Sequence, residues 1–204
     1  MVGRRRSARP LGYRSPVPDA LTEAELAELA AMPDRTLRGL SLLARVGARI
    51  GESLIVVGRF AVETYTQGGY TTADVDALVR RADDARGLLA ASGFVRRARH
   101  LISERLDLAI EFPGSMLGSR EEHARANVIE VPGGEVRMIG VDDLIVDRLC
   151  ALVHDGATGE EENALRLVAA HFDDLDRPYL EAKARFEAVD EALARVLARA
   201  QDLR

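Results

Sequence analysis

The chain has 204 residues, 47% of them apolar and 30% charged, with a formal net charge of -5. That balance describes a globular protein; no apolar run approaches the roughly 18 residues of a membrane span, and the basic start has no apolar stretch behind it to read as a secretory signal. The net negative charge argues against wholesale nucleic-acid binding, and a lone Cys150 rules out an internal disulfide, so the cytoplasm is the expected compartment.

In chain order, Arg4, Arg5, Arg6, Arg9 and Arg14 all precede the first acid, Asp19. With Pro10, Pro16 and Pro18 and no apolar periodicity, residues 1–19 read as an irregular basic arm. It is either a solvated tail or a segment that steers polyanions, and the tail is the simpler reading. Thr22 and Glu25 have capping-box spacing and predict a short helix to about Met32, stopped by Pro33. Asp34 caps a second helix, with Leu37, Leu40, Ala44 and Ala48 as its buried stripe.

Leu54-Ile55-Val56-Val57 is a continuous β-rich run ending at Gly58, the pattern of a strand buried on both faces. A helix over 61–67 ends at Gly68-Gly69. Thr72 to Val79 then alternates as a strand, with Thr72, Asp74 and Asp76 on one face. A helix over 80–92 is closed by Gly93, and strands follow near 94–100 and 105–112. Residues 127–131 and 135–139 form a hairpin around Pro132-Gly133-Gly134. From Val141 onward the pattern is helical: one helix capped by Asp142, another carrying Leu165, Leu167 and Val168, and a long final one begun by Asp176 and Pro178. The reading is α/β (α+β), a small mixed sheet flanked by helices, divided into the arm (1–19), an α/β domain (20–140) and a helical C-terminal part (141–204). No G-x-G-x-x-G or G-x-x-x-x-G-K-[ST] loop is present, so neither a dinucleotide fold nor a P-loop is supported.

The sharpest chemical feature is Asp74-Val75-Asp76. Residues i and i+2 of a strand share a face about 6–7 Å apart, and two carboxylates so placed can share the paired divalent cations of in-line phosphoryl transfer. Mg²⁺ suits them, with Mn²⁺ as a substitute, because it combines a few carboxylates with water and phosphate oxygens. About one D-x-D is expected by chance in such a composition, and Asp174-Leu175-Asp176 is a second copy whose Asp176 reads as a helix N-cap. A solvated strand face would also explain Asp74 and Asp76. A third acid strengthens the metal reading: residues 106–112 alternate strictly, placing Asp107 and Glu111 on one face opposite Leu106, Leu108, Ile110 and Phe112. Cys150 and His154 share a helix face, where core packing outweighs a metal site.

Val56-Val57-Gly58-Arg59-Phe60-Ala61-Val62-Glu63, the Gly-Gly-Tyr turn at 68–70, Thr72-Ala73-Asp74-Val75-Asp76 and Ile110-Glu111-Phe112-Pro113 together resemble the nucleotidyltransferases of the DNA-polymerase-β superfamily. More narrowly, they look like the minimal bacterial group related to AbiEii-type toxins. Val141-Asp142-Asp143-Leu144-Ile145-Val146-Asp147-Arg148-Leu149 is similar to the segment opening the helical portion of such proteins. The resemblance covers about residues 50–150. It implies a Mg²⁺-dependent enzyme moving a nucleoside monophosphate from an NTP to an acceptor, which could be RNA, protein or a small molecule, with an antitoxin as partner if the toxin likeness holds. Its motif places Gly58 at the triphosphate turn, Asp74 and Asp76 at the metals with Thr72 just before them, and Glu111 as third acid with Asp107 as alternate. Arg148 becomes a further phosphate contact. Arg59 departs from the pattern, which expects a second small residue. It either supplies a guanidinium to the phosphates or plugs the pocket, in which case the chain is a non-catalytic module binding a nucleotide or a protein.

Overall fold

The computed structural model describes residues 19–72 and 74–203. The basic arm, with Arg4, Arg5, Arg6, Arg9 and Arg14, lies outside the described residues. Helix α1 (Glu23–Ala31) begins with the expected box: Glu25 N donates to Thr22 Oγ1 at 3.3 Å and Thr22 N donates to Glu25 Oε2 at 2.8 Å. Asp34 caps α2 (Arg35–Ile50), accepting from the amides of Thr36 and Leu37, and Gly51 ends it in the left-handed region. The expected single stripe is a correction. Every residue from Gly39 to Gly47 is buried while Ala48 is exposed and Leu37 only half-buried, because α2 is packed by α1, α4 and the sheet together.

The sheet has seven strands in the order β3-β4-β5-β2-β1-β7-β6. Strand β1 (Ile55–Val57) passes directly into α3 (Gly58–Tyr65), and β2 (Asp74–Leu78) returns antiparallel beside it. After α4 (Ala82–Ala91) come β3 (Val95–Arg97), β4 (His100–Ser103) and β5 (Leu108–Glu111), the last parallel to β2. The two strands read near 94–100 and 105–112 are three. A turn at Ala98 and another at Asp107, both with positive φ, cut the run, and positive φ in such residues has no sequence signature as plain as glycine. A one-and-a-half-turn helix α5 (Arg120–Arg125), capped by Ser119, precedes the hairpin of β6 (Asn127–Val131) and β7 (Gly134–Met138). It buries no residue and so left no apolar pattern to find.

Four helices close the chain: α6 (Val141–Val153), α7 (Glu160–His171), α8 (Arg177–Phe186) and α9 (Asp190–Asp202). The single long final helix is corrected to two, broken where Ala188 takes φ +56. Asp176 caps α8 as expected, accepting from Tyr179 N at 3.3 Å. Asp142 does not cap α6, whose N-cap is Gly140; it is held instead by Arg125 at 2.9 Å. Tyr65 of α3 stands at the junction with these helices: its hydroxyl donates to the Ile139 carbonyl just before α6 at 2.7 Å, and its ring meets His171 of α7 edge-on at 5.4 Å. One apolar core cluster runs from Leu21 to Ala200. Among the described residues no helix is long and apolar enough to cross a membrane.

Candidate active site

The face of the sheet left open by α3 and α6 forms a cleft of about 590 Å³. Its floor is set by register. Val57 pairs with Asp76 across β1 and β2, and Asp76 pairs with Glu111 across β2 and β5. Alternation buries Val75 and Ala77 in the core and turns Asp74, Asp76 and Leu78 to the cleft. Asp76 lies between Asp74 on its own strand and Glu111 on the next. Burial, then the charges of Glu111 and Asp74, push its carboxyl up to about 6 against a partial offset from Arg148 and Arg59. Such a raised value marks a buried carboxylate with like charges beside it.

Gly58 is required by its surroundings. It has φ +65, and a β-carbon there would lie 2.5 Å from Asp76 Oδ2. The bare backbone lets the start of α3 press against the acidic floor. No side chain caps this helix, so its first amides open at the cleft mouth, where Gly58 and Arg59 both line the wall. Thr72 enters from below. Its amide donates to buried Glu63 at 2.8 Å, its carbonyl accepts from Arg35 at 2.8 Å, and its hydroxyl accepts from Asp74 N at 3.4 Å. This clamps the approach to β2.

Arg59 is 56% exposed and pairs with Glu160, Nε to Oε1 at 3.4 Å. The other oxygen of Glu160 takes Arg148 Nη1 at 3.3 Å, and Arg148 also pairs with Asp147. One buried carboxylate from α7 therefore ties two guanidinium groups along the wall facing Asp76. Neither arginine pairs with Asp74, Asp76 or Glu111, so the plug arrangement is not the one adopted.

Two of the expected acids separate. Glu111 lines the cleft. Asp107 does not: it is exposed, in a turn with φ +50, where its amide donates to the Glu104 carbonyl at 3.3 Å and its carbonyl accepts from Arg35 Nε at 3.2 Å. Leu106, Leu108, Ile110 and Phe112 are all buried, as the alternation predicts, but the strand itself begins only at Leu108.

Sequence reasoning missed Arg99 and His100. Arg99 Nε is 3.1 Å from Glu111 Oε2, and His100 Nε2 is 3.3 Å from that oxygen and 3.6 Å from Asp74 Oδ1. Both stand at the start of β4, which pairs with β5, and only that pairing brings them to the acids. Lys183, the lone lysine, bridges Glu122 at 2.9 Å and Asp143 at 3.4 Å on the far wall. Cys150 also lines the cleft, its thiol pushed up to about 11 by burial and by the acids Glu187 and Asp147. It is therefore a neutral thiol.

The donor set of Asp74, Asp76 and Glu111 has the chemistry of hard-cation ligands. As placed, no three carboxylate, imidazole or thiolate groups among the described residues close round one point. Glu111 must turn from Arg99 and His100 to join the pair.

No protein-family model and no curated protein matches the chain. Solved structures do. An antigenic nucleotidyltransferase-like protein from Paracoccidioides brasiliensis superposes with a TM-score of 0.57 at 16% identity, over 84% of this chain and 91% of that one. The fold is nucleotidyltransferase-like. The antibiotic-resistance factor ANT(2'')-Ia is similar with a TM-score of 0.51 at 12% identity, over 80% of this chain and 100% of that one. At such identities the likeness establishes the nucleotidyltransferase-like fold and leaves activity to the residues of the cleft.

Proposed function

We propose that the chain transfers a nucleoside monophosphate from an NTP to an acceptor hydroxyl. One observation carries this reading: Asp76 sits in register between Val57 and Glu111, with Gly58 pressed against it and Asp74 two residues along the strand. Acids at the floor and an uncapped helix start at the mouth are what a nucleoside triphosphate and its cation need.

Asp74 and Asp76 would hold the cation, Mg²⁺ or Mn²⁺, which would neutralise the triphosphate and the developing charge on the reacting oxygens. The amides opening α3 at Gly58 meet the phosphates, and Arg59 and Arg148, aligned by Glu160, stabilise the leaving pyrophosphate. The acceptor oxygen bonds to the α-phosphorus as the bond from that phosphorus to pyrophosphate breaks. The acceptor proton passes to the Glu111 carboxylate once it has turned from Arg99 and His100. Thr72 keeps Asp74 in place.

A second reading, a non-catalytic nucleotide- or protein-binding module, is favoured by the engagement of Glu111 with Arg99 and His100. The toxin-like subtype, and the antitoxin partner it implies, rest within this proposal on the sequence likeness of residues 54–112 and 141–149. Incubation with each labelled NTP, Mg²⁺ and total cellular RNA, protein or small molecules separates the readings. Label transfer lost in Asp74→Asn supports the enzyme; NTP binding without transfer supports the module.

A further inference from the structure

A second cavity of about 670 Å³ lies on the same open face, beyond the first. Val57 lines the first and Ile55 the second, and Leu78, Met116, Leu117 and Gly118 line both. The segment over 113–118 thus crosses the sheet as a partition between two chambers. Asp76 and Arg80 lie on either side of it, separated by no more than about 13 Å of extended chain.

The chambers differ in charge. The first has the three acids on its floor. The second presents three guanidinium groups, Arg80, Arg120 and Arg137, against one carboxylate, Glu52. Glu52 is already consumed by the amides of Arg80 and Arg81 and by Arg80 Nε. Arg137 is fixed by donating from Nη2 to the carbonyls of His123 and Ala126. Its Nε and the hydroxyl of Ser53 are both buried without a hydrogen-bond partner among the described residues. Buried donors are almost always satisfied, and both residues line this basic cavity, so an acceptor-rich ligand there would offer partners to two orphans. In a chain of net charge -5, a local excess of arginine is a departure from the general field.

We propose that this cavity is a phosphate-binding subsite for the acceptor. A phosphoryl group held by Arg80, Arg120, Arg137 and Ser53 would place an attached hydroxyl across the Met116 partition, at Asp76 and Glu111. Guanidinium forks and a hydroxyl match phosphate oxygens, and Met116, 57% exposed, offers an apolar surface for what joins the two ends. The acceptor role rests on the transferase reading; the binding does not.

The test uses the full chain without NTP or divalent cation. Pyrophosphate and a short single-stranded oligoribonucleotide are titrated while the backbone amides of Gly51, Ser53 and Gly118 are followed by NMR. Both should move these amides, with affinity falling as salt rises. Affinity should drop at least tenfold in Arg80→Ala/Arg120→Ala and about threefold in Ser53→Ala, with unchanged thermal midpoints. Tighter binding of the oligoribonucleotide identifies a nucleic-acid acceptor, and equal binding a small phosphorylated one. Asp74→Asn/Asp76→Asn should leave this binding intact, so loss of Mg²⁺-ATP binding there counts on the transferase alone. Unmoved amides with both probes, or a double arginine variant that binds like wild type, overturn the subsite.

Discussion

Arg59 and Glu160 form an ion pair, Nε to Oε1 at 3.4 Å, that turns the arginine along the cleft wall and away from the acids. An arginine standing where a small residue is expected is therefore compatible with an open floor, with Tyr70 and Glu160 both engaging its guanidinium.

Arg59→Ala should weaken Mg²⁺-ATP binding by about 1.5–3 kcal/mol, the worth of a charge-assisted hydrogen bond. Glu160→Gln should weaken it less, because it frees both Arg59 and Arg148 without removing either. Calorimetry on the two variants checks this. Tighter binding in Arg59→Ala would mean the arginine obstructs the site.

Gly58→Ala adds a β-carbon 2.5 Å from Asp76 Oδ2 at a φ of +65. It should destabilise the fold by roughly 1–3 kcal/mol and displace Asp76 as well. Urea denaturation reads the first effect and Mg²⁺-ATP titration the second. An alanine variant as stable as wild type would show that the two residues do not press together in solution.

Asp76 carries a pH signature. Its folded value, about 6, lies above the ordinary 3.8, so the folded state binds the proton more tightly than the unfolded one. The ionised carboxylate therefore strains the cation-free fold fully above about pH 6, and the strain fades as pH falls from 6 toward 4. Asp76→Asn should be more stable than wild type at pH 7, by on the order of 2 kcal/mol, and this advantage should shrink through that window. Denaturation of both proteins in a chelator, across pH 4 to 7, gives the curve; a difference that does not vary with pH would remove the electrostatic account.

Glu111→Gln should abolish label transfer while Asp107→Asn leaves it unchanged, since only Glu111 lines the cleft. Equal losses in both would return the third acid to Asp107.

What was legible in the sequence was local. Capping spacings marked α1, α2 and α8, the β-rich run into Gly58 marked β1 and the turn after it, and alternation put Asp74 and Asp76 on one face. Each is decided by residues a few positions apart, where backbone geometry alone sets the outcome. The joining of distant segments was decided only by the tertiary structure. Parallel pairing of β2 with β5 selected Glu111 over Asp107, and the antiparallel approach of β4 delivered Arg99 and His100 to it. The docking of α7 gave Arg59 its partner in Glu160. Positive φ at Ala98 and Asp107 cut the strands of this region and at Ala188 split the last helix, against the local preference of those residues. Packing of whole elements supplies the energy that holds such residues there. An Asp-x-Asp strand is written in three residues, whereas the charge environment that makes it a site depends on which strands and helices come to rest beside it.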